Sequence, residues 1–165
     1  MSDPAPGAAQ DAAQPTLQIE KLYVKDVSLE VPNAPQVFTE QVQPEVEVQI
    51  KTGASQFAEG YFEVMVGATV TARAGERTLF LAEAEQAGIF SLRNVRPDQL
   101  DPLLAVACPQ ILFPYLREAI SDLVVRAGFP PVLLAPVSFE ALYMQRMQQQ
   151  AGQERGAGPQ IEIAR

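Results

Sequence analysis

Carboxylates are the main candidates for chemistry among the side chains of this chain. The sequence holds 20 aspartates and glutamates, one cysteine (Cys108) and no histidine. Histidine is the commonest general base and metal ligand, so its absence removes the Ser-His and Cys-His pairs of nucleophilic enzymes. A lone cysteine cannot supply a cysteine-rich zinc site, and the glycines form no phosphate-binding motif.

Paired carboxylates could still do acid–base work, but no spacing in the sequence singles out such a pair. We therefore predict a protein that is not an enzyme, with no catalytic residue, no metal and no cofactor.

The charge balance indicates the kind of partner. Twelve lysines and arginines stand against the 20 acids, a formal net charge of −8. Nucleic-acid binders and proteins that bind anionic membranes carry basic surfaces, so both partners are disfavoured. A basic protein partner is the natural complement, although the charge could also serve solubility only.

The chain carries no sign of export from the cytoplasm. Residues 1–16 lack the basic start and apolar core of a signal peptide, and no stretch resembles a membrane span. A single cysteine forms no intramolecular disulfide, which fits a reducing compartment. The predicted location is the cytoplasm.

Alternation of apolar and polar residues predicts four strands. Residues 1–16 are expected to be a disordered arm, and the strand pattern begins at Leu17. A crossing loop should run from the PNAP stretch to Pro44, and the TGAS and RAGE stretches (52–55 and 73–76) are expected to be turns. The clearest strand segments are residues 25–31, 45–51, 60–72 and 77–90.

The pattern then becomes helical. Asp98 is expected to cap a helix that begins near Gln99, and Pro109 and Pro114 should interrupt or bend the helical segment after it. Gly128 should end a second apolar stripe, and Ser138 should cap a shorter helix over 138–150. From Gly152 onward we expect a mobile tail. Strands followed by helices predict an α+β fold with one antiparallel sheet.

The fourth strand has two different faces. Leu79, Leu81, Glu83 and Glu85 share one face, and small or apolar residues share the other: Phe80, Ala82, Ala84 and Gln86. The second face suits either an internal helix or a subunit interface, because protein cores and homodimer interfaces have similar compositions.

The stretch GFPPVLLAPVSF (128–139) contains three prolines and no charge. Prolines keep it out of a helix and deny an incoming strand its hydrogen-bond partners. It could line a hydrophobic channel or simply cover the core between two helices.

Several long runs resemble the SecB family of bacterial export chaperones. They include VPNAP, CPQILFPYLREAISDLV and LAPVSFEALYM, and the likeness extends from about Leu17 to Ala151, leaving residues 152–165 as the tail. The resemblance implies a four-stranded antiparallel sheet with one long and one short C-terminal helix, and a homotetramer built as a dimer of dimers. It also implies a protein that holds unfolded precursor proteins in the cytoplasm and passes them to the motor ATPase SecA.

The resemblance also implies site residues. The SecA-docking positions are Asp26, Glu30, Leu81 and Glu83, which form one patch if the first and fourth strands pair; the zinc ion of the docking module belongs to SecA. One departure is Val42, where the family has tryptophan. We expect Phe80, Ala82, Ala84 and Gln86 to line an oligomer interface. The implied client groove consists of Val42, Val46, Val48, Ile50, Phe62, Leu142 and Tyr143.

Two alternatives remain open at this point. A SecB-like chaperone dedicated to a toxin–antitoxin pair would share the client chemistry, but its docking acids would be free to drift. A small-ligand-binding protein or carboxylate-dependent enzyme on an α+β scaffold would need a closed pocket with two converging carboxylates.

Overall fold

The alternating segments form four long strands, and two helices follow them. The computed structural model describes residues 13–156. The elements are β1 (Thr16–Glu30), β2 (Glu45–Ala58), β3 (Tyr61–Ala74), β4 (Arg77–Arg93), α1 (Pro97–Arg126) and α2 (Phe139–Gly156). The prediction of an α+β fold with one antiparallel sheet, a long helix and a shorter C-terminal helix is confirmed.

The strand order in the sheet is β1-β4-β3-β2. The loop over residues 31–44, with a 3-10 turn at Gln36–Phe38, carries the chain from one edge of the sheet to the other. This crossing leaves β1 beside β4, so the first and last strands pair antiparallel. Both β1 and β2 are therefore edge strands.

One of the two predicted turns is confirmed and one is wrong. Gly75 lies in the β3–β4 turn with φ +61°. The expected turn at 52–55 is absent, since β2 continues to Ala58 and the chain reverses at Glu59 and Gly60 (φ +73°). Thr52 and Ala54 keep their places opposite β3, so ladder pairing overrides the local turn signal.

One side of α1 forms the core with the sheet. Leu112, Leu116, Ile120 and Val124 recur every four residues and are fully buried with β3 and β4 side chains. Each such burial stabilises the fold by about 1.5–3 kcal/mol. By length and composition alone α1 passes the test for a membrane-spanning helix, a test that a core helix also passes. Its buried stripe nevertheless gives it the position of a core helix.

Of the interruption or bend expected at Pro109 and Pro114, the interruption is wrong. The chain stays helical from Pro97 to Arg126, with a π-helical turn at Leu103–Ala107 that ends two residues before Pro109. The wider turn lies where the proline ring and its missing N–H would disturb a regular helix. Asp98 is not the cap either: Arg96 holds that position and Asp98 lies in the first turn.

The ends of the helices follow the sequence signals more closely. Gly128 (φ +87°) ends α1, with backbone bonds from Gly128 N to Val125 O and from Phe129 N to Val124 O. Ser138 Oγ accepts a hydrogen bond from Ala141 N at 3.2 Å, which confirms the predicted cap of α2. This helix extends beyond Gly152 to Gly156, since a single glycine costs only about 1 kcal/mol in a helix. The rest of the predicted arm and tail, residues 1–12 and 157–165, lies outside the described residues.

The expected oligomer interface on β4 requires a correction. Its four residues face α1 and are buried within one chain: Phe80, Ala82, Ala84 and Gln86. Ala84, for example, is only 2% exposed, so it has no surface to offer another subunit. The internal-helix alternative is the one the structure supports, because small side chains let α1 approach the sheet closely. Any effect of these positions on assembly would act through α1.

Candidate binding surfaces

The pairing of β1 with β4 brings the predicted docking residues together. Glu30 lies opposite Leu81, Ser28 opposite Glu83, and Asp26 opposite Glu85. All of these side chains are on the sheet face away from α1. The acids at 26, 30 and 83 are exposed, and Leu81 is half-buried. We call this surface the acidic face: Asp26, Ser28, Glu30, Leu81, Glu83 and Glu85.

Two neighbouring residues organise the acidic face, and sequence reasoning missed both. Thr69 on β3 donates from Oγ1 to Glu83 at 3.0 Å, while Ser28 donates to the same carboxylate at 3.2 Å. Lys51 on β2 forms an ion pair with Glu85. The hydrogen bond to Glu85, and then the charges of Glu85, Glu83 and Asp26, raise the pKa of Lys51.

Gly67 makes this ion pair possible. It lies on β3 between Lys51 and Glu85 in the strand register. A Cβ atom at Gly67 would fall 2.6 Å from the Lys51 side chain, so the lysine crosses β3 through the space that glycine leaves. The acidic face therefore holds four carboxylates and one ammonium group.

The predicted groove residues on β2 expose apolar surface on the opposite side of the sheet. Val46, Val48 and Ile50 lie opposite Ala72, Val70 and Ala68, all of which are buried. Val46 and Val48 are 46% and 42% exposed, whereas the adjacent β3 side chains are covered by α1. The pattern of residues is the same on both strands. The difference in exposure between the two strands arises because β2 is the edge strand.

Helix α2 closes on this strand at its middle. Leu142 and Tyr143 line a small cavity together with Thr52, the next inward-facing residue after Ile50. The structure therefore places two predicted α2 residues beside β2. Val42 is also exposed, in the crossing loop. Phe62, in contrast, is buried opposite Phe90 on β4 and belongs to the core in this structure.

A larger groove of about 740 Å³ continues on the other side of Tyr143. It lies between the start of β1, the first turns of α1 and the first turns of α2, and sequence reasoning missed it because it depends on how α2 docks. Its carboxylates are Asp98 and Glu140. Arg96 holds the pKa of Asp98 below its usual value, whereas a general acid needs a raised pKa. Its lining residues are Pro15, Leu17, Asp98, Gln99, Pro102, Leu103, Val106, Ala107, Gln110, Glu140, Tyr143 and Met144.

The docking of α2 depends on a few contacts. Phe139 packs edge-on against Phe113 of α1, with ring centroids 5.7 Å apart. The Arg146 guanidinium lies 3.9 Å from the Asp101 carboxylate and over the Tyr143 ring at 5.5 Å. Desolvation, and then the hydrogen bond to Asp101, raise the pKa of Tyr143.

Comparison with known proteins shows the family. The family model described as preprotein translocase subunit SecB matches residues 10–150. The protein-export protein SecB of Chromobacterium violaceum is 61% identical over 142 residues, which cover 86% of this chain and 95% of that protein. SecB of Neisseria meningitidis serogroup B is 58% identical over 139 residues, with 84% and 95% covered.

A solved structure shares the fold. It is a SecB-like chaperone of Mycobacterium tuberculosis in complex with a peptide from an antitoxin. The TM-score is 0.62 at 20% identity, covering 74% of this chain and 91% of that one. At this identity the likeness concerns the fold only.

This chain belongs to the SecB family of protein-export chaperones. The family assignment made from the sequence motifs is confirmed. The prediction that the chain is a chaperone of protein export and not an enzyme is confirmed with it.

Proposed function

We propose that this protein is a cytoplasmic holdase: it binds unfolded precursor proteins, keeps them competent for translocation and delivers them to SecA. The observation that carries the proposal is the apolar row on β2. Val46 and Val48 stay exposed on an edge strand whose inner neighbours are fully buried. Apolar surface of this kind marks a binding site, because a monomer gains nothing by exposing it.

The client site combines this row with α2. Leu142 is 44% exposed and lies beside Thr52 of β2, so strand and helix form two walls of one apolar channel. Burial of apolar surface is non-directional, so such a channel favours apolar segments of unfolded chains with little sequence preference. The larger groove beside Tyr143 extends the same surface toward β1.

The acidic face serves as the SecA-docking site in this proposal. Acids surround the half-buried Leu81, an arrangement that suits a small basic module with an apolar contact. Because side chains alternate along a strand, this site lies on the opposite sheet face from the client row. Client and SecA can therefore be bound at the same time.

Self-association into a homotetramer is part of the proposal. Apolar residues that neither site uses remain exposed on the edge strand β1 and on the outer side of α1: Ile19, Val24, Val27, Tyr115 and Val125. A second copy would cover them. The contact surfaces therefore lie on these elements rather than on the buried β4 row.

A toxin–antitoxin role is the second candidate. It draws on the antitoxin peptide bound to the Mycobacterium tuberculosis neighbour. The intact acidic face favours export, since a dedicated chaperone has no need of SecA. Titration with SecA separates the two roles.

The test is suppression of aggregation of an unfolded precursor, followed by light scattering. Wild type should slow aggregation, and Val48→Asp and Leu142→Asp should slow it less while leaving the tetramer intact. Gln49→Asp is the matched control, because Gln49 is the next residue on β2 and faces the opposite side. If the precursor aggregates equally fast with and without wild type, the holdase proposal is wrong.

A further inference from the structure

The stretch Phe129–Val137, here called the proline strap, joins α1 to α2 without secondary structure. Within the described residues, no backbone–backbone hydrogen bond involves residues 130–137. Leu134 and neighbouring apolar side chains pack on the core, and Leu133 is 73% exposed. Apolar packing is non-directional, so a directional hydrogen bond adds to what holds this extended segment in place.

Arg117 supplies the directional contact. Its Nε donates to the Leu134 carbonyl at 2.8 Å, from the α1 turn that faces the strap. A charged donor strengthens a hydrogen bond, and this one is partly buried. The carbonyl it holds belongs to a residue that is only 4% exposed.

The same guanidinium also stacks on the α1 ring that packs against the start of α2. It lies over the Phe113 ring at 4.9 Å from the centroid, and Phe113 packs edge-on against Phe139, the first residue of α2. Leu142 and Tyr143 lie about one turn further along α2. The position of one wall of the client channel is thus tied to α1 by the Phe113–Phe139 contact, on which Arg117 stacks, and by the bond from Arg117 to the strap.

We propose that Arg117 is a positioning residue for client binding: it fixes the proline strap and thereby the groove wall that α2 presents. This inference rests on the proposed holdase function for its functional half only. Lysine cannot replace arginine here, because it lacks the planar group that stacks on Phe113 while donating to a carbonyl.

The first experiment tests, without any client, whether Arg117 holds the proline strap in place. Chymotrypsin can cut at the exposed Leu133 once the strap loosens, since cleavage requires local release of the segment. Arg117→Met and Arg117→Lys should both be cut within the strap at least about fivefold faster than wild type below the thermal transition. Arg126→Met is the control, because Arg126 is exposed on the same helix and pairs only with Asp122 among the described contacts.

The second experiment measures affinity for an unfolded precursor. Both Arg117 variants should bind it about threefold or more weakly, mainly through faster release, and remain tetrameric. Cleavage at the wild-type rate in both variants would show that Arg117 does not hold the strap. Faster cleavage with unchanged affinity overturns the positioning role. If wild type itself fails to bind precursor, the holdase proposal is wrong. The cleavage result then still decides whether Arg117 holds the strap.

Discussion

Reversal of the charge at Glu83 should weaken docking of SecA without disturbing the fold. Glu83 is exposed at the centre of the acidic face, and its two hydrogen bonds come from Ser28 and Thr69 hydroxyls, which can equally accept from a lysine. A solvated strand position tolerates this change, with an effect on stability within about 0.5 kcal/mol. The loss should therefore appear in binding.

The size of the loss follows from Coulomb's law. A charge pair roughly 5 Å apart in bulk water is worth about 0.8 kcal/mol, and replacing attraction by repulsion doubles the change to about 1.7 kcal/mol. That corresponds to a roughly tenfold to twentyfold weaker complex for one basic partner group, and more if the interface excludes water. At 1 M salt, where the Debye length is about 3 Å, most of the difference should vanish.

The assay is titration of SecA into wild type, Glu83→Lys and Glu59→Lys at low and high salt. Glu59 is exposed in the β2–β3 turn, nine residues away from Glu83 in the register of β4. This spacing is roughly 30 Å, about three Debye lengths at a low-salt condition of 0.1 M, so the control changes net charge without touching the acidic face. Equal affinity of wild type and Glu83→Lys at low salt would refute the docking site, and an equal loss in Glu59→Lys would show that net charge alone matters.

Three further outcomes are expected. Lys51→Gln removes the cation beside Glu85. SecA should therefore bind this variant several-fold more tightly at low salt, with a steeper salt dependence. Unchanged or weaker binding in calorimetry would contradict this electrostatic account. Ala84→Arg should lower the free energy of unfolding by at least about 3 kcal/mol, because the charge enters the layer between β4 and α1; a thermal midpoint equal to that of wild type would place Ala84 at the surface. Burial raises the pKa of Cys108 to about 12, so at pH 8 roughly one Cys108 side chain in ten thousand is a thiolate. Ellman's reagent should therefore react with Cys108 only when the protein unfolds. A fast reaction in the native state would mean that the thiol is accessible.

The acidic face was predictable from the sequence because it needs only strand alternation and one pairing. Asp26 and Glu30 are four apart on β1, and Leu81 and Glu83 are two apart on β4, so each pair must share a face. Pairing of the strands completes the patch. Lys51 and Thr69 could not be assigned to it, since their places depend on the order and register of strands that no local pattern encodes.

The inward-facing residues of β4 that begin at Phe80 could not be assigned from the sequence. Small apolar residues fit equally under a helix of the same chain or against another subunit, and only the path of α1 decides between them. The path of α1 was itself obscured, because Pro109 and Pro114 predict an interruption or a bend. The π-helical turn that keeps the helix continuous has no sequence signal of its own.

An exposed apolar edge strand is a danger to its own protein, since it can pair with another copy and aggregate. On β2 the alternation that presents valines to one side presents Glu45, Glu47 and Lys51 to the other. Each valine thus has a charged or polar neighbour in sequence, and any strand added to this edge must approach those charges too. The proline strap also resists pairing with an added strand, because Pro130, Pro131 and Pro136 offer no N–H to it. Under the proposed function, clients bury their side chains on both elements, because this burial needs no backbone hydrogen bonds. The chain therefore separates the exposure of apolar side chains from β-sheet extension, as the proposed holdase function requires.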